Sequence, residues 1–459
     1  MWDKEKLNLA LSKNLIHCNI DESFQGQEVI IDSRKKTNGG IFIAFKGQNN
    51  DGHNYLQQAF DNGAKIAIVS KILDKFKDDN RIILVKDSNQ ALIDLAIYSR
   101  QNFKGKIIGI TGSVGKSSIK EMLKTILSFK NSVFANYGNL NNHIGLPLSL
   151  CNLDQNADYG IFEMGMNHLK EIEFLSNIAK PDIAIISNIA AAHIGNFKNE
   201  EEIALAKSEI FYGLTQNDTA ILNKDNKHFD FLNKKAQEKT SNIITFGKNE
   251  ESDICLKSFD NIDNENSKIS VIINKKEINY EINNINESVI SNSLIALATL
   301  KALNKNITDY LPAFKNLQTP KGRGNIIKIG KITIIDDSYN ANLTSMISGL
   351  KFLSDIQKQN SNSRSIAILG DMLELGEKEI EEHKSIAKYI DEFNINKVLL
   401  VGNLTKHTAS QLKSEKILGH FKTSDELAKE IKNIIQDNDI ILVKASRSIK
   451  MEKIIETLE

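Results

Sequence analysis

Between residues 107 and 126 three kinds of backbone must follow one another without a break, and this stretch constrains the fold more than any other. The apolar run Ile107 to Ile110 reads as a buried strand, and Thr111-Gly112-Ser113-Val114-Gly115-Lys116-Ser117-Ser118 as a tight glycine turn. Ile119, Met122, Leu123 and Ile126 then recur at helical spacing. A strand that turns sharply into a helix leaves the first N–H groups of that helix unpaired and aimed, with the helix dipole, at one spot. Such a spot suits a phosphate. The spacing expects Thr111 through Ser118 to wrap the phosphates of ATP, with Lys116 reaching the β- and γ-phosphates and Ser117 ligating Mg²⁺. The usual phosphate-loop pattern has a glycine five residues before Gly115, where this chain has Ile110, so its first glycine is displaced. The alternative is an ordinary glycine-rich turn; the strand before it and the helix after it favour nucleotide binding.

One such unit does not fill 459 residues. At about 150 residues per domain the chain expects roughly three, and its pattern changes divide it the same way. Residues 1–103 hold a glycine-punctuated extended stretch, Gly39 to Gly47, followed by a helical segment from Asn54 to Gly63. Residues 104–318 alternate the phosphate-loop unit and further apolar strands at Tyr159 to Phe162, Ile183 to Ile186 and Ala220 to Leu222 with helical segments, as a parallel sheet does. Ile269, Val271 and Ile273 before Lys275-Lys276, and Ile278, Tyr280 and Ile282 after it, have period two and predict a β-hairpin; a helix over Leu294 to Leu303 closes the block. Residues 319–459 repeat the alternation with strands at Ile332 to Ile335, Ile366 to Leu369, Val398 to Val401 and Ile440 to Val443, after a hinge marked by Pro320 and Gly322. The expected fold is α/β with three domains: a small N-terminal α/β domain, a central parallel-sheet domain of the phosphate-loop ATPase kind, and a C-terminal Rossmann-like domain.

Lys plus Arg and Asp plus Glu number 58 each, so no net field recruits nucleic acid or an anionic membrane, and an anionic ligand must be held locally. No apolar run approaches the ~20 residues that span a bilayer, and the charged start lacks an apolar leader; a cytoplasmic protein with no membrane insertion is expected. Cys18, Cys151 and Cys255 are odd in number and not in metal-ligand spacing, which points to buried thiols.

Two later strand ends carry candidate metal ligands, Glu163 after Ile161-Phe162 and His193 after Ile185 to Ala192. Alone, the first reads as a solvated acid and the second as a packed or surface histidine. Together with the loop they resemble the Mur ligase family, and the resemblance runs the length of the chain. It is carried by Ile31-Asp32-Ser33-Arg34, Phe42-Ile43-Ala44, Asp51-Gly52-His53 and Gly63-Ala64 in the first block. In the second it is carried by the variant loop, Gly138 through Pro147, Glu163-Met164-Gly165, Ala192-His193, Ala206 through Phe211, and Asn292. Gly322-Arg323, Asp336 through Asn342, Leu369 through Gly376, Lys444-Ala445-Ser446-Arg447 and Met451-Glu452 complete it. The Asp-Asn-Pro-Arg-like signature of the branch that adds the third amino acid is absent, while Asp337 to Asn342 and Asp371 to Gly376 resemble the branch that adds D-alanyl-D-alanine. Leu343, Ala445 and Ser288 depart from the family's usual Pro, Gly and His.

The resemblance implies ATP-dependent ligation of D-alanyl-D-alanine to UDP-N-acetylmuramoyl-tripeptide through an acyl phosphate, by a monomer using ATP and two Mg²⁺. It implies that Lys116, Ser117 and Glu163 serve the phosphates and one Mg²⁺, and that His193 and a carbamylated Lys207 hold the second. It further implies that Asn292, Arg323 and Asp337 contact adenine, phosphate and ribose as the third block closes, that Ser33 and Arg34 grip the UDP end, and that Asn141 and Asn142 lie on the substrate side. Without the resemblance Lys207 reads as a helix-surface lysine, and Ser33-Arg34 equally well as a surface salt bridge. A folate polyglutamate ligase, or a nucleotide-gated binding module without chemistry, remains the alternative class.

Overall fold

The computed structural model describes every residue except 48–49, 191–193, 264 and 361. It is an α/β protein of three domains, each built on its own sheet. The first sheet has strands β1 (Leu15–Cys18), β2 (Val29–Ile30), β3 (Gly40–Ile43), β4 (Ala64–Val69) and β5 (Ile82–Val85) in the order β1-β5-β4-β3-β2, parallel except for β1. The helix Ser88–Asn102, capped by the Asp87 carboxylate on the N–H groups of Asn89 and Gln90, packs on it and leads into the second domain.

The first and second sheets share one hydrophobic core: Leu7, Ile41 and Ile68 belong to the same buried cluster as Leu146, Phe162 and Leu175. Polar links reinforce the junction. The Trp2 indole donates to the Cys151 carbonyl at 3.1 Å, and the Asn152 amide exchanges two bonds with the Val29 backbone, at 2.8 and 2.9 Å, as a strand neighbour would.

The central sheet contains β6 (Lys106–Thr111), β7 (Val133–Ala135), β8 (Tyr159–Glu163), β9 (Ile183–Ile186), β10 (Thr219–Asn223), β11 (Asn242–Gly247), β12 (Ile254–Asn261), β13 (Ser267–Ile273) and β14 (Lys276–Ile282), in the order β14-β13-β12-β11-β10-β9-β6-β8-β7. It is parallel through β12; β13 and β14 are antiparallel and form the expected hairpin. Its turn is Asn274-Lys275, both at positive φ (50° and 64°), the twist that two-residue hairpin turns need, so Lys276 begins the second strand rather than sitting in the turn. β6 lies between β8 and β9, neither of which follows it directly in sequence, so its carboxyl end opens at a switch point of the topology.

The third sheet comprises β15 (Asn325–Ile329), β16 (Ile332–Asp336), β17 (Ser365–Gly370), β18 (Lys397–Val401), β19 (Ile417–Phe421) and β20 (Ile440–Lys444), ordered β15-β16-β20-β17-β18-β19 and parallel except for β15. Separate apolar clusters cover its two faces, as in a doubly wound fold. Gly322 (φ +75°) donates to Asp336 Oδ2 at 2.8 Å and accepts from the Tyr339 N–H at 3.1 Å, so it is already fastened to this sheet. Leu317 and Thr319 are held instead by Asn283 and Asn284 of the central domain. The hinge narrows to residues 320–321. Among the described residues no helix is long and apolar enough to cross a membrane.

Candidate active site

The carboxyl ends of β6, β8 and β9 open into a cleft of ≈ 740 Å³ whose far wall is the third domain. At its floor the chain must pass from β6 into the helix Lys116–Ser128 within four residues. Gly112 makes this possible, because at its φ of +152° a Cβ would stand 1.9 Å from Ser187 Oγ. Gly115, left-handed at φ +86°, caps the helix. The loop is tied down from β9's extension: Ser113 N–H donates to the Asn188 carbonyl at 2.9 Å, and Ser187 Oγ to that of Val114 at 2.7 Å. Val114 through Ser118 and Ser113 line the cleft, whereas Gly112 and Thr111 lie beneath it; the Thr111 hydroxyl is buried without a partner among the described residues.

Lys116 folds back onto the Gly112 carbonyl at 2.8 Å. Burial pushes its pKa down; the Glu163 carboxylate works against that, and the Arg323 guanidinium adds to it. Glu163, 3% exposed at the end of β8, has both oxygens engaged. Ser117 Oγ donates to one at 2.8 Å and the Asn141 amide to the other at 2.8 Å. Arg323, from the third domain, donates to Ser117 Oγ at 3.2 Å and lies 4.0 Å above the Tyr339 ring. One serine hydroxyl thus joins the phosphate loop, the acid of β8 and the third domain.

Lys207, on the helix Glu200–Ser208, is 2% exposed, lines the same cleft and has no carboxylate partner among the described residues. Burial first, and the neighbouring Lys116 charge second, drive its pKa well below the ordinary lysine value. It is a buried amine in the cleft, not the surface lysine its helix alone suggested. His193 lies outside the described residues. Among the described residues no group of three or more His, Cys, Asp or Glu is placed to hold a metal ion.

Asn292, on the helix Glu287–Ala302, faces the loop: its Oδ1 is 3.3 Å from where a Cβ of Gly115 would sit. Asp337, one residue past β16, pairs with Lys444 at 2.7 Å; burial raises its carboxyl, and Lys444 partly offsets the rise. Asn142 accepts from the N–H groups of Ile144 and Gly145 at 3.2 and 2.8 Å and so heads the helix Gly145–Cys151 while lining the cleft. Ser33 and Arg34 are not on this wall. Ser33 Oγ donates to Gln58 at 2.7 Å, and the exposed Arg34 fork closes on Asp32 at 2.9 and 2.8 Å.

Sequence reasoning passed over Lys120 and Asn136. Lys120 Nζ, 2% exposed, donates to the carbonyls of Asn136 and Gly138 at 2.7 and 3.2 Å. The Asn136 side chain accepts from the Glu163 N–H at 3.0 Å and donates to the Leu140 carbonyl at 2.9 Å. These bonds set the 136–142 loop that carries Asn141 to Glu163. The available signal was a lysine inside the apolar stripe of Ile119, Met122, Leu123 and Ile126.

Residues 110–300 match the Mur ligase middle domain, and residues 322–447 the Mur ligase, glutamate ligase domain. The UDP-N-acetylmuramoyl-tripeptide–D-alanyl-D-alanine ligase of Rickettsia prowazekii is 37% identical over 99% of each chain, and that of Escherichia coli 31% identical over 94% of this chain and 93% of its own. Among solved structures, MurF from Acinetobacter baumannii superposes with a TM-score of 0.88 at 29% identity, covering 100% of this chain and 98% of that one. The MurF ligase of Thermotoga maritima in complex with ADP does so at 0.81 and 28%, covering 95% and 98%. The chain belongs to the Mur ligases, a family of ATP-dependent amide ligases, and carries both of the family's shared domains behind its own N-terminal sheet.

Proposed function

We propose that this protein joins the terminal carboxylate of UDP-N-acetylmuramoyl-tripeptide to the amine of D-alanyl-D-alanine, converting ATP to ADP and phosphate and yielding the UDP-muramoyl-pentapeptide precursor of peptidoglycan. The full-length likeness to ligases of that name carries the reading, and the phosphate-loop cleft closed by the third domain supplies its chemistry. We assign residues 1–103 to the UDP end, 104–318 to ATP, and 319–459 to closing over nucleotide and amine.

A carboxylate is a poor electrophile, so it must first take the γ-phosphoryl group; the resulting acyl phosphate is attacked by the amine, and the tetrahedral intermediate expels phosphate. The loop N–H groups and Lys116 hold the phosphates in line, and Arg323 lies where charge develops on the transferred group. Ser117 and Glu163 offer the hard oxygen donors that Mg²⁺ takes beside phosphate oxygens and water, and the ion would neutralise the same charge. A lysine kept neutral by burial is the form that adds CO₂. As a carbamate, Lys207 would give the cleft an anion able to hold a second Mg²⁺ with His193. Asn292 and Asp337 serve the adenine and ribose, Asn141 and Asn142 the sugar-peptide. Ser33 and Arg34 serve the UDP end once Arg34 opens from Asp32, its fork matching a diphosphate. Third-domain closure keeps water from the acyl phosphate.

We further infer a monomer that acts in the cytoplasm, where ATP and UDP-linked precursors are made. Phosphate release measured with a matrix of UDP-muramoyl peptides and amine acceptors tests the reading. Release is expected only with the tripeptide and D-alanyl-D-alanine together; release with a shorter UDP-peptide and a single amino acid, or ATP binding without turnover, contradicts it.

A further inference from the structure

Resting on that reading, we propose that Arg447 binds the carboxylate of the incoming D-alanyl-D-alanine and so sets the acceptor's orientation. At the moment of attack the dipeptide's amine must be neutral, which leaves its carboxylate as its one charge beside two small methyl groups. Selecting such a molecule requires a cation on the cleft wall.

The Lys and Arg side chains on that wall are Lys116, Lys207, Arg323, Lys444 and Arg447. Lys116 bonds the loop carbonyl of Gly112, and Arg323 bonds Ser117. Lys444 is buried and spent on Asp337 and the Asn340 carbonyl. Lys207 is buried, and the Lys116 charge beside it disfavours its protonated form. Arg447 differs from all of these. Its side chain is 59% exposed, and its one polar partner among the described residues is Glu452, reached through Nη1 at 3.1 Å. An end-on pair of that kind steadies the guanidinium and leaves Nε–H and Nη2 as a fork, the geometry that grips a carboxylate with two bonds.

Position supports the assignment. The Tyr339 ring has two guanidiniums against it, that of Arg323 at 4.0 Å and that of Arg447 at 5.5 Å from its centroid. Arg323 also touches the phosphate-loop serine. Arg447 is therefore no farther from Arg323 than those two lengths together. An extended dipeptide spans about 7 Å from amine to carboxylate, enough for one whose carboxylate sits at Arg447 to carry its amine toward Arg323 and the phosphate loop. Arg447 follows Ser446 and Lys444 at the carboxyl end of β20, between β16 and β17, where a parallel sheet of this order opens to ligand.

The experiment compares D-alanyl-D-alanine with D-alanyl-D-alaninamide, which lacks the carboxylate, on the wild type, Arg447→Gln and Arg447→Lys, with KM for ATP and for the UDP-tripeptide measured alongside. The wild type is expected to prefer the acid by about 100-fold in kcat/KM, as charged pairs in a cleft do. Arg447→Gln is expected to lose that preference by raising KM for the acid, with the other two KM values within about twofold, and Arg447→Lys to keep part of it. An undiminished acid preference in Arg447→Gln, or a rise confined to the ATP KM, overturns the proposal while leaving the proposed function standing. No turnover of the acid by the wild type contradicts both. Should the Gln variant fail to fold, the Lys variant decides: a preference equal to the wild type's, despite the lost fork, overturns the assignment.

Discussion

Lys207 has a physical property that its sequence position hides. A lysine on a nine-residue helix with three glutamates in its first turn reads as solvated, yet tertiary packing buries it beside Lys116 and disfavours its charge. Lys207→Ala is expected to lower kcat by at least about 100-fold, with part recovered on adding a short carboxylic acid that replaces the carbamate. Near-normal activity contradicts the assignment. Acid should act the same way, since below the depressed pKa the amine holds a proton and cannot add CO₂. Glu382 shows the opposite shift: burial, with Lys378 opposing and Glu381 adding, pushes its carboxyl from 4.5 up to about 6, and its Oε2 has no partner among the described residues. Below pH 4.5 both states are protonated; between 4.5 and 6 only the unfolded chain ionises, so stability falls as pH rises, by about 2 kcal/mol in all. Glu382→Gln should therefore be more stable than the wild type by up to about 2 kcal/mol at pH 7 and equal to it at pH 4, by denaturant titration. An equal gap at both pH values refutes the linkage. Lys116, Ser117 and Gly115 were legible because covalent spacing alone aims them. Lys207, Lys120 and Asn136 were not, because burial and hydrogen bonding to distant loops decide what they do.

Among the elements, the turn from β6 into the helix Lys116–Ser128 depends on one missing side chain. Adding a Cβ at Gly112 would overlap Ser187 Oγ at 1.9 Å and strain a φ of +152°, so the loop and β9's extension must separate. Gly112→Ala is expected to weaken ADP binding by about 100-fold or more while far-ultraviolet circular dichroism stays near the wild type's; unchanged affinity by calorimetry contradicts this account of the loop. The displaced glycine is thus a requirement of strand packing. The central strands were legible because strands buried on both faces are continuous apolar runs, as at Ile183–Ile186. The edge strands β7 and β19 were not, being short and only half-buried. The hairpin was visible from its period of two, but its turn was off by a residue because Asn274 and Lys275 take positive φ without a glycine to announce it. The departure at Leu343 is mild: it is the first residue of the helix Leu343–Gln359, which Asn342 and Ser345 cap in the usual reciprocal way, so a proline's fixed φ is not needed. Asp371, within a stretch that carried the resemblance, proves to be architectural, its carboxylate accepting from the N–H groups of Asn403, Leu404 and Thr405 at 2.9 Å each.

Across the molecule, the three domains divide into a pair and a single. The first two share a core, whereas the third meets the second through one buried apolar side chain, Ile285, and scattered polar contacts, among them Arg323 on Ser117, Ser288 on Ser348 at 2.9 Å, Lys328 on Glu265 at 2.7 Å, Lys351 on Glu287, and the Gly195 N–H on the Glu374 carbonyl at 3.1 Å. Polar contacts of that kind contribute about 1 kcal/mol each or less, far below what a shared core holds, so the third domain is the one free to swing about residues 320–321. Sequence patterns showed the three sheets but not this pairing, because a core shared by residues many dozens of positions apart, such as Ile68 and Leu146, leaves no local period. The swing has one chemical purpose in this account: to close a dry cleft around a carboxylate while ATP phosphorylates it. Ligation with UDP-N-acetylmuramoyl-tripeptide whose terminal carboxylate carries ¹⁸O tests that directly, by mass spectrometry of the released phosphate. Acyl-phosphate chemistry predicts one ¹⁸O per phosphate at every turnover that forms the pentapeptide. Pentapeptide formed with unlabelled phosphate would contradict it.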